Sequence, residues 1–138
     1  MLLAVILAAT LFALAGVHLY WAFGGRWPGH DEASMVEHVV GRTAGMRAPG
    51  PLASAAVAAA LAAGGLLVLA VLAPLSPLDP WLKAARWLLF AVFALRGLAT
   101  YIPPVFHYAE GTPFARLNRR AYGPLCLAIA LGLLALQL

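Results

Sequence analysis

The sequence predicts an all-α fold: an integral membrane four-helix bundle with a long, partly helical first loop and a Pro-Pro-broken third loop. Composition is the first observation behind this. Of 138 residues, 64% are hydrophobic and 10% are charged, where soluble domains run at about half and about a quarter. Mean hydropathy is +0.90. The second observation is segmentation. Four apolar stretches, about 2 to 23, 51 to 73, 81 to 102 and 119 to 138, approach or exceed the ~20 residues that cross a ~30 Å hydrocarbon layer. They make up one domain over residues 1–138.

The first stretch, MLLAVILAATLFALAGVHLYWAFGG, keeps its polar residues at one end, in His18, Tyr20 and Trp21. Tyr20 and Trp21 suit the aromatic belt of a membrane interface. It lacks a basic flank and a small-residue cleavage site, so it reads as a retained helix and not as a signal peptide. Gly24-Gly25 then ends it, since glycine tolerates the left-handed geometry of helix termini. The loop from Gly24 to Gly50 is long for a connector. Within it, Asp31 to Val40 predicts a short helix, acidic at its positive N-terminal end and apolar at Met35, Val36, Val39 and Val40. That helix is expected at the membrane surface or folded over the end of the bundle.

The second stretch opens on Pro51, a residue suited to a first helical turn, and is crowded with alanine and glycine. Small residues allow close backbone approach, which predicts the most buried helix or a contact with a second copy or a membrane partner. Pro74, Pro77 and Pro80 stiffen the following turn. The third stretch starts near Trp81, with Lys83 and Arg86 able to snorkel, and ends at Pro103-Pro104. Arg96 lies about one and a half to two turns before that break. The fourth starts near Asn118 to Tyr122, which places Pro124 in its first turns.

Loop charge sets the orientation. Arg26, Arg42 and Arg47 in the first loop and Arg116, Arg119 and Arg120 in the third stand against Lys83 and Arg86 beside the second. Six against two puts the first and third loops in the cytoplasm and both termini outside. The formal charge of +4 therefore reads as topology and lipid contact. Its residues form no continuous patch for nucleic acid. A single cysteine, Cys126, rules out an intrachain disulfide and with it the CxxC-bearing, quinone-reducing class of small membrane enzymes.

The segments HLYWAFGGRWPG at 18 to 29, Arg96-Gly97, and FARLNRRAYGPLCLAIALG at 114 to 132 resemble a family of small bacterial four-helix membrane proteins described only as a domain of unknown function. The resemblance spans nearly the whole chain and implies the architecture and a multi-pass place in the bacterial cytoplasmic (inner) membrane. It implies no activity. The family pattern favours Asp where Asn118 stands and Ser where Gly123 stands.

An ionisable residue close to hydrocarbon is a site hypothesis. His18 and Arg96 lie in helices that cross in the same direction, at similar depth near the cytoplasmic side. Together they outline a polar pocket: Arg96 would hold an anionic group, His18 and Tyr101 would orient it, and Trp21 would form an apolar wall. The structural reading of the same residues is a staple between helices. Arg116, Arg119 and Arg120 would attract phosphate, or only set topology. His107 and Glu110 follow the Pro-Pro break, where they read as lid residues, as acid-base candidates, or, for His107 with His18, as a bis-histidine haem pair. His30 and His38 show no ligand spacing, and no metal is expected. No nucleophile elbow, phosphate-cradling glycine loop or HExxH is present.

The reading with most support is a membrane protein that binds an amphiphilic or lipid-like anionic ligand at the cytoplasmic interface, with membrane lipids as partners. An enzyme using His18 or Glu110 on an isoprenoid or sterol-like substrate, an accessory subunit, and a haem protein are the alternatives. Whether it is an enzyme stays open.

Overall fold

The structure, a computed structural model, describes residues 1–41, 47–73 and 77–138. Arg42 of the first-loop charge count and Pro74 of the second turn lie outside the described residues. The chain forms α1 (Leu2–Ala22), α2 (Glu32–Val39), α3 (Pro51–Leu69), α4 (Asp79–Ala99), α5 (Pro113–Leu117) and α6 (Gly123–Ala135). No strand occurs among the described residues, so the protein is all-helical as predicted.

Helix α1 shows why. Ala4, Leu7, Ala8, Leu11 and Ala15 are its buried residues, spaced at i, i+3, i+4 and i+7 as one helical face requires. This face meets Val68 of α3, Phe93 of α4 and Ile129, Ala130 and Leu133 of α6 in one core. Helix α1 packs chiefly along α3, and α4 along α6. Helix α3 is not the more buried partner. Of its most apolar window 22% is buried, against 28% for α1, because small residues draw it close to α1 on one side and leave Leu52, Val57 and Leu66 exposed on the other.

Two helical segments, Leu2–Ala22 and Pro51–Leu72, are long and apolar enough to cross a membrane. Helix α4 differs in carrying Lys83, Arg86 and Arg96 beside Asp79, and α6 has only 13 residues. The helical run extends further back than predicted, however. It begins at Pro113 and not near residue 119, with the Thr112 hydroxyl accepting from the Ala115 N–H at 3.3 Å. It then passes through a wide π turn at Asn118–Tyr122. Pro124 therefore lies inside the run and not in its first turns. It has no N–H for the carbonyl of Arg120, and the ladder changes register just ahead of it. Helix α4 starts at Asp79, with Pro80 in its first turn, and ends at Ala99, three residues before the predicted end. Tyr101 and Ile102 continue as turns ahead of two prolines that cannot donate.

The short helix predicted in the first loop is present as α2. Asp31 caps it: its carboxylate accepts from the Ser34 N–H at 2.7 Å, and the Ser34 hydroxyl accepts from the Asp31 N–H at 3.1 Å. This reciprocal box satisfies donors that a helix start leaves open. Its other end stops at Gly41, whose φ of 97° lets its N–H reach the Val36 carbonyl at 2.8 Å. Met35 and Val36 are buried. Tyrosine hydroxyls from distant segments tie down the last turn: Tyr108 donates to the Val40 carbonyl at 3.0 Å and Tyr122 to the His38 carbonyl at 3.3 Å. Helix α2 thus folds over one end of the long helices, against α5.

Two outcomes follow for α2. A Cβ at Gly41 would stand 2.6 Å from the Ala109 Cβ, in a left-handed conformation that itself costs ~1–2 kcal/mol without glycine. Gly41→Ala is expected to lower stability by about 2 kcal/mol in thermal unfolding, with loss of amide-exchange protection first in α2. The hydrogen bonds from Ser34 hold the Asp31 carboxyl below its ordinary value of 3.8. Because the folded pKa is depressed, the contribution of this cap is full above that value and fades as pH falls through the folded one. Amide protection of α2 should drop at acid pH, and Asp31→Asn, an equally good cap, should flatten that dependence.

Candidate functional site

Arg96 sits in the last turn of α4, where the helix dipole favours a cation. Its guanidinium is held from three sides. Nη1 donates to the Thr100 hydroxyl at 3.0 Å, one helical turn ahead. Nη2 donates to Asn118 Oδ1 at 2.8 Å, across to the π turn. The Phe106 ring lies against the charge, 5.0 Å from Cζ to its centroid. Thr100 and Asn118 are 4% and 1% exposed, so the bonds lie at a dry junction. The helices meet closely here, since a Cβ at Gly123 would stand 2.8 Å from Thr100 Cγ2.

Arg96 also lines a cavity of about 280 Å³ with His18 and Trp21 of α1, Val40 beyond α2, and Tyr108 and Phe114. The two walls read from the sequence, His18 to Trp21 and Arg96, therefore face one space. His18 Nδ1 bonds the Leu14 carbonyl at 2.9 Å. A carbonyl only accepts, so Nδ1 carries the hydrogen and Nε2 is the ring atom left for another partner. The ring meets Trp21 edge-on, centroids 4.8 Å apart, and the Trp21 indole N–H is held by the Trp27 carbonyl at 2.6 Å.

Other predicted members lie elsewhere. Tyr101 does not line this cavity, and its hydroxyl donates to the Arg119 carbonyl at 3.4 Å. The reason is helical geometry: Thr100, at i+4, shares the face of Arg96, and the next residue is turned ~100° away. His107 is engaged by Glu110 at 3.0 Å, with both side chains more than two-thirds exposed, and shares no cavity with His18. Glu110, Arg116 and Arg119 line a second depression of about 290 Å³, whose wall includes Thr100, Phe106 and Asn118. Arg120 lines neither. The Arg96 junction thus separates two concavities, with the guanidinium on one side and its partners on the other.

His30, just before α2, and His38, within it, serve local bonds to the Ser34 hydroxyl and the Ser34 carbonyl. No group of three His, Cys, Asp or Glu side chains among the described residues is placed to hold a metal ion. Thr100, Phe106 and Phe114 were not candidates from the sequence, whereas Tyr108 stood beside His107 and Glu110 on the segment expected to return over the end of the bundle. Thr100 was signalled only by its four-residue spacing from Arg96. Phe106 and Phe114 arrive through chain reversal.

Removing Asn118 tests the junction. Asn118→Leu takes the acceptor from a charged donor and should cost about 2 kcal/mol in thermal unfolding. Arg120→Gln should change stability by less than about 0.5 kcal/mol, as exposed sites away from such networks do.

Comparison with curated proteins and with solved structures finds no match. A family model matches residues 11–133, a span that takes in His18, Trp21, Arg96, Thr100 and Asn118. On that match the chain belongs to the family described as "Protein of unknown function (DUF3995)".

Proposed function

We propose that the protein is a four-helix integral membrane protein of the cytoplasmic membrane that binds the anionic group of an amphiphile in the cavity between His18–Trp21 and Arg96. The observation that carries this reading is the charge state of the Arg96 junction. Among the described residues no carboxylate lies within ion-pair distance of Arg96, and its hydrogen-bond partners, Thr100 and Asn118, are neutral. They orient the guanidinium without compensating its charge. Of the five N–H donors of a guanidinium, two are committed to these partners. A cation so placed beside an apolar cavity attracts an anion more strongly than one in water, because the local dielectric is low. Val40, Val57 and Phe114, which also line the cavity, suit an apolar tail, and His18 Nε2 supplies a further hydrogen-bonding atom.

The membrane placement draws on the exterior as well as on the two apolar helices. On α4, Leu88, Val92 and Leu95 are 67%, 54% and 68% exposed along one face. Such an apolar outer surface costs free energy in water and none in hydrocarbon. Trp81 is exposed at the opposite end from Arg96, where an interfacial aromatic belongs. In this reading the first and third loops, with the cavity, face the cytoplasm.

Binding of dodecyl phosphate to the full chain in maltoside micelles, followed by calorimetry, tests the site. The wild type is expected to bind it, with dodecyltrimethylammonium as the non-binding control. Arg96→Gln should weaken affinity at least about tenfold, or ~1.4 kcal/mol. Equal affinity in wild type and variant would overturn the assignment. Reporter fusions at both termini and in the first loop test the topology, with only the loop fusion expected in the cytoplasm.

A further inference from the structure

The second depression, on the other side of the Arg96 junction, holds charges of both signs that do not pair with each other. Arg116 and Arg119 line it from one helical face, and Glu110 lines it from the preceding turn. Among the described residues Glu110 is within ion-pair distance of His107 alone, and neither arginine has a carboxylate within that distance. In a depression of about 290 Å³, opposite charges held apart are complementary to a ligand that is itself dipolar. A single anion would meet Glu110 as a repulsive neighbour, and a single cation would meet the arginines.

The floor adds an independent observation. Asn118 is 1% exposed and lines this depression. Its Oδ1 accepts from Arg96 at 2.8 Å and from the Thr100 hydroxyl at 3.4 Å, whereas its Nδ2 donates to no described residue. An amide N–H₂ that donates to no described residue is available to an acceptor entering the depression that Asn118 lines. It lies in the same concavity as two guanidinium groups, which bind phosphate oxygens through paired N–H bonds.

We propose that this depression binds a phosphate group linked to a primary ammonium, the headgroup chemistry of an aminophospholipid. The phosphate lies against Arg116, Arg119 and the Asn118 amide, and the ammonium against Glu110. A primary ammonium suits the carboxylate because it has three N–H donors. A quaternary ammonium would need aromatic faces around it, and Phe106, the aromatic residue lining the depression, already has Arg96 at its ring. The proposal rests on the membrane placement above but not on the Arg96 ligand.

The test uses the full chain in maltoside micelles, titrated with phosphatidylethanolamine, phosphatidylcholine and phosphatidylglycerol of one acyl composition, and bound lipid counted by native mass spectrometry. Phosphatidylethanolamine is expected to reach half-saturation at about a fifth or less of the mole fraction the others need, given the strength of a charge-assisted bond. Glu110→Gln, at an exposed side chain, should abolish that preference by weakening phosphatidylethanolamine binding, while phosphatidylglycerol, relieved of a repulsive neighbour, should bind no more weakly than to the wild type. Arg119→Gln should weaken both lipids, whereas Arg120→Gln should weaken neither. Soluble glycerophosphoethanolamine separates the sources. Displacement of the lipid at comparable concentration supports the same chemistry with a free metabolite as ligand, and failure to displace supports the lipid itself. Equal binding of the three lipids, a preference surviving Glu110→Gln, or equal losses in Arg119→Gln and Arg120→Gln would overturn the proposal. Loss of dodecyl phosphate binding with the ethanolamine preference intact would remove only the Arg96 reading, and reporter fusions showing no membrane insertion would remove the shared placement.

Discussion

One hydrogen-bonded junction, Arg96 with Thr100 and Asn118, governs the polar end of the molecule. A guanidinium near the end of an apolar helix needs acceptors, and α4 offers one of its own at the next turn. The second must come from another segment. Asn118 supplies it from the π turn, so the helical run that ends in α6 has to begin before residue 118 and widen there. Gly123, with no Cβ to strike Thr100, lets the backbones come close enough for the bond to form. Once that distance is set, Phe106 is carried against the guanidinium and two concavities open on either side. A hydrogen bond to a charged group contributes about 2 kcal/mol, and beyond that stability the junction imposes the geometry of this end of the molecule.

The long first loop is ordered by a different principle. Helix α2 is too short to be stable alone, and it persists because both of its ends are satisfied. Its start is closed locally by the Asp31–Ser34 box. Its end is closed from afar, by hydroxyls of Tyr108 and Tyr122 on carbonyls that a helix terminus leaves open. Those two tyrosines belong to the third loop and the π turn. The first and third loops therefore close over the same end of the bundle, and the cavity at Arg96 takes part of its lining from each.

The neutral partners of Arg96 and the mixed charges around Glu110 have opposite electrostatic characters. On one side a cation is held by neutral partners, with no carboxylate within ion-pair distance among the described residues. On the other, carboxylate and guanidinium groups share a depression without pairing with each other. Asn118 links the two, since its carbonyl oxygen accepts from Arg96 and the residue lines the second depression.

Periodic patterns were legible in the sequence. The four apolar stretches, the cap at Asp31, the termination at Gly24-Gly25 and the pairing of His18 and Trp21 with Arg96 across one space follow from spacing, residue chemistry and depth, which act over a few turns of one helix. The start of the last helical run was misplaced, because Thr112 caps a helix only if the π turn ahead of Pro124 is available to carry it forward. Tyr101 was assigned to the wrong side because its helix ends at Ala99 and the face of Arg96 passes through Thr100. The pairing of His107 with Glu110, and the separation of Glu110 from the arginines, depend on how the chain returns after Pro103-Pro104. The sequence by itself determined the helical class, the apolar spans and the identity of the central arginine, since each depends on local composition and period. Only the tertiary structure decided which neutral groups hold that arginine, which tyrosines close α2 and which charges share a depression, because those contacts join residues that no local periodicity relates.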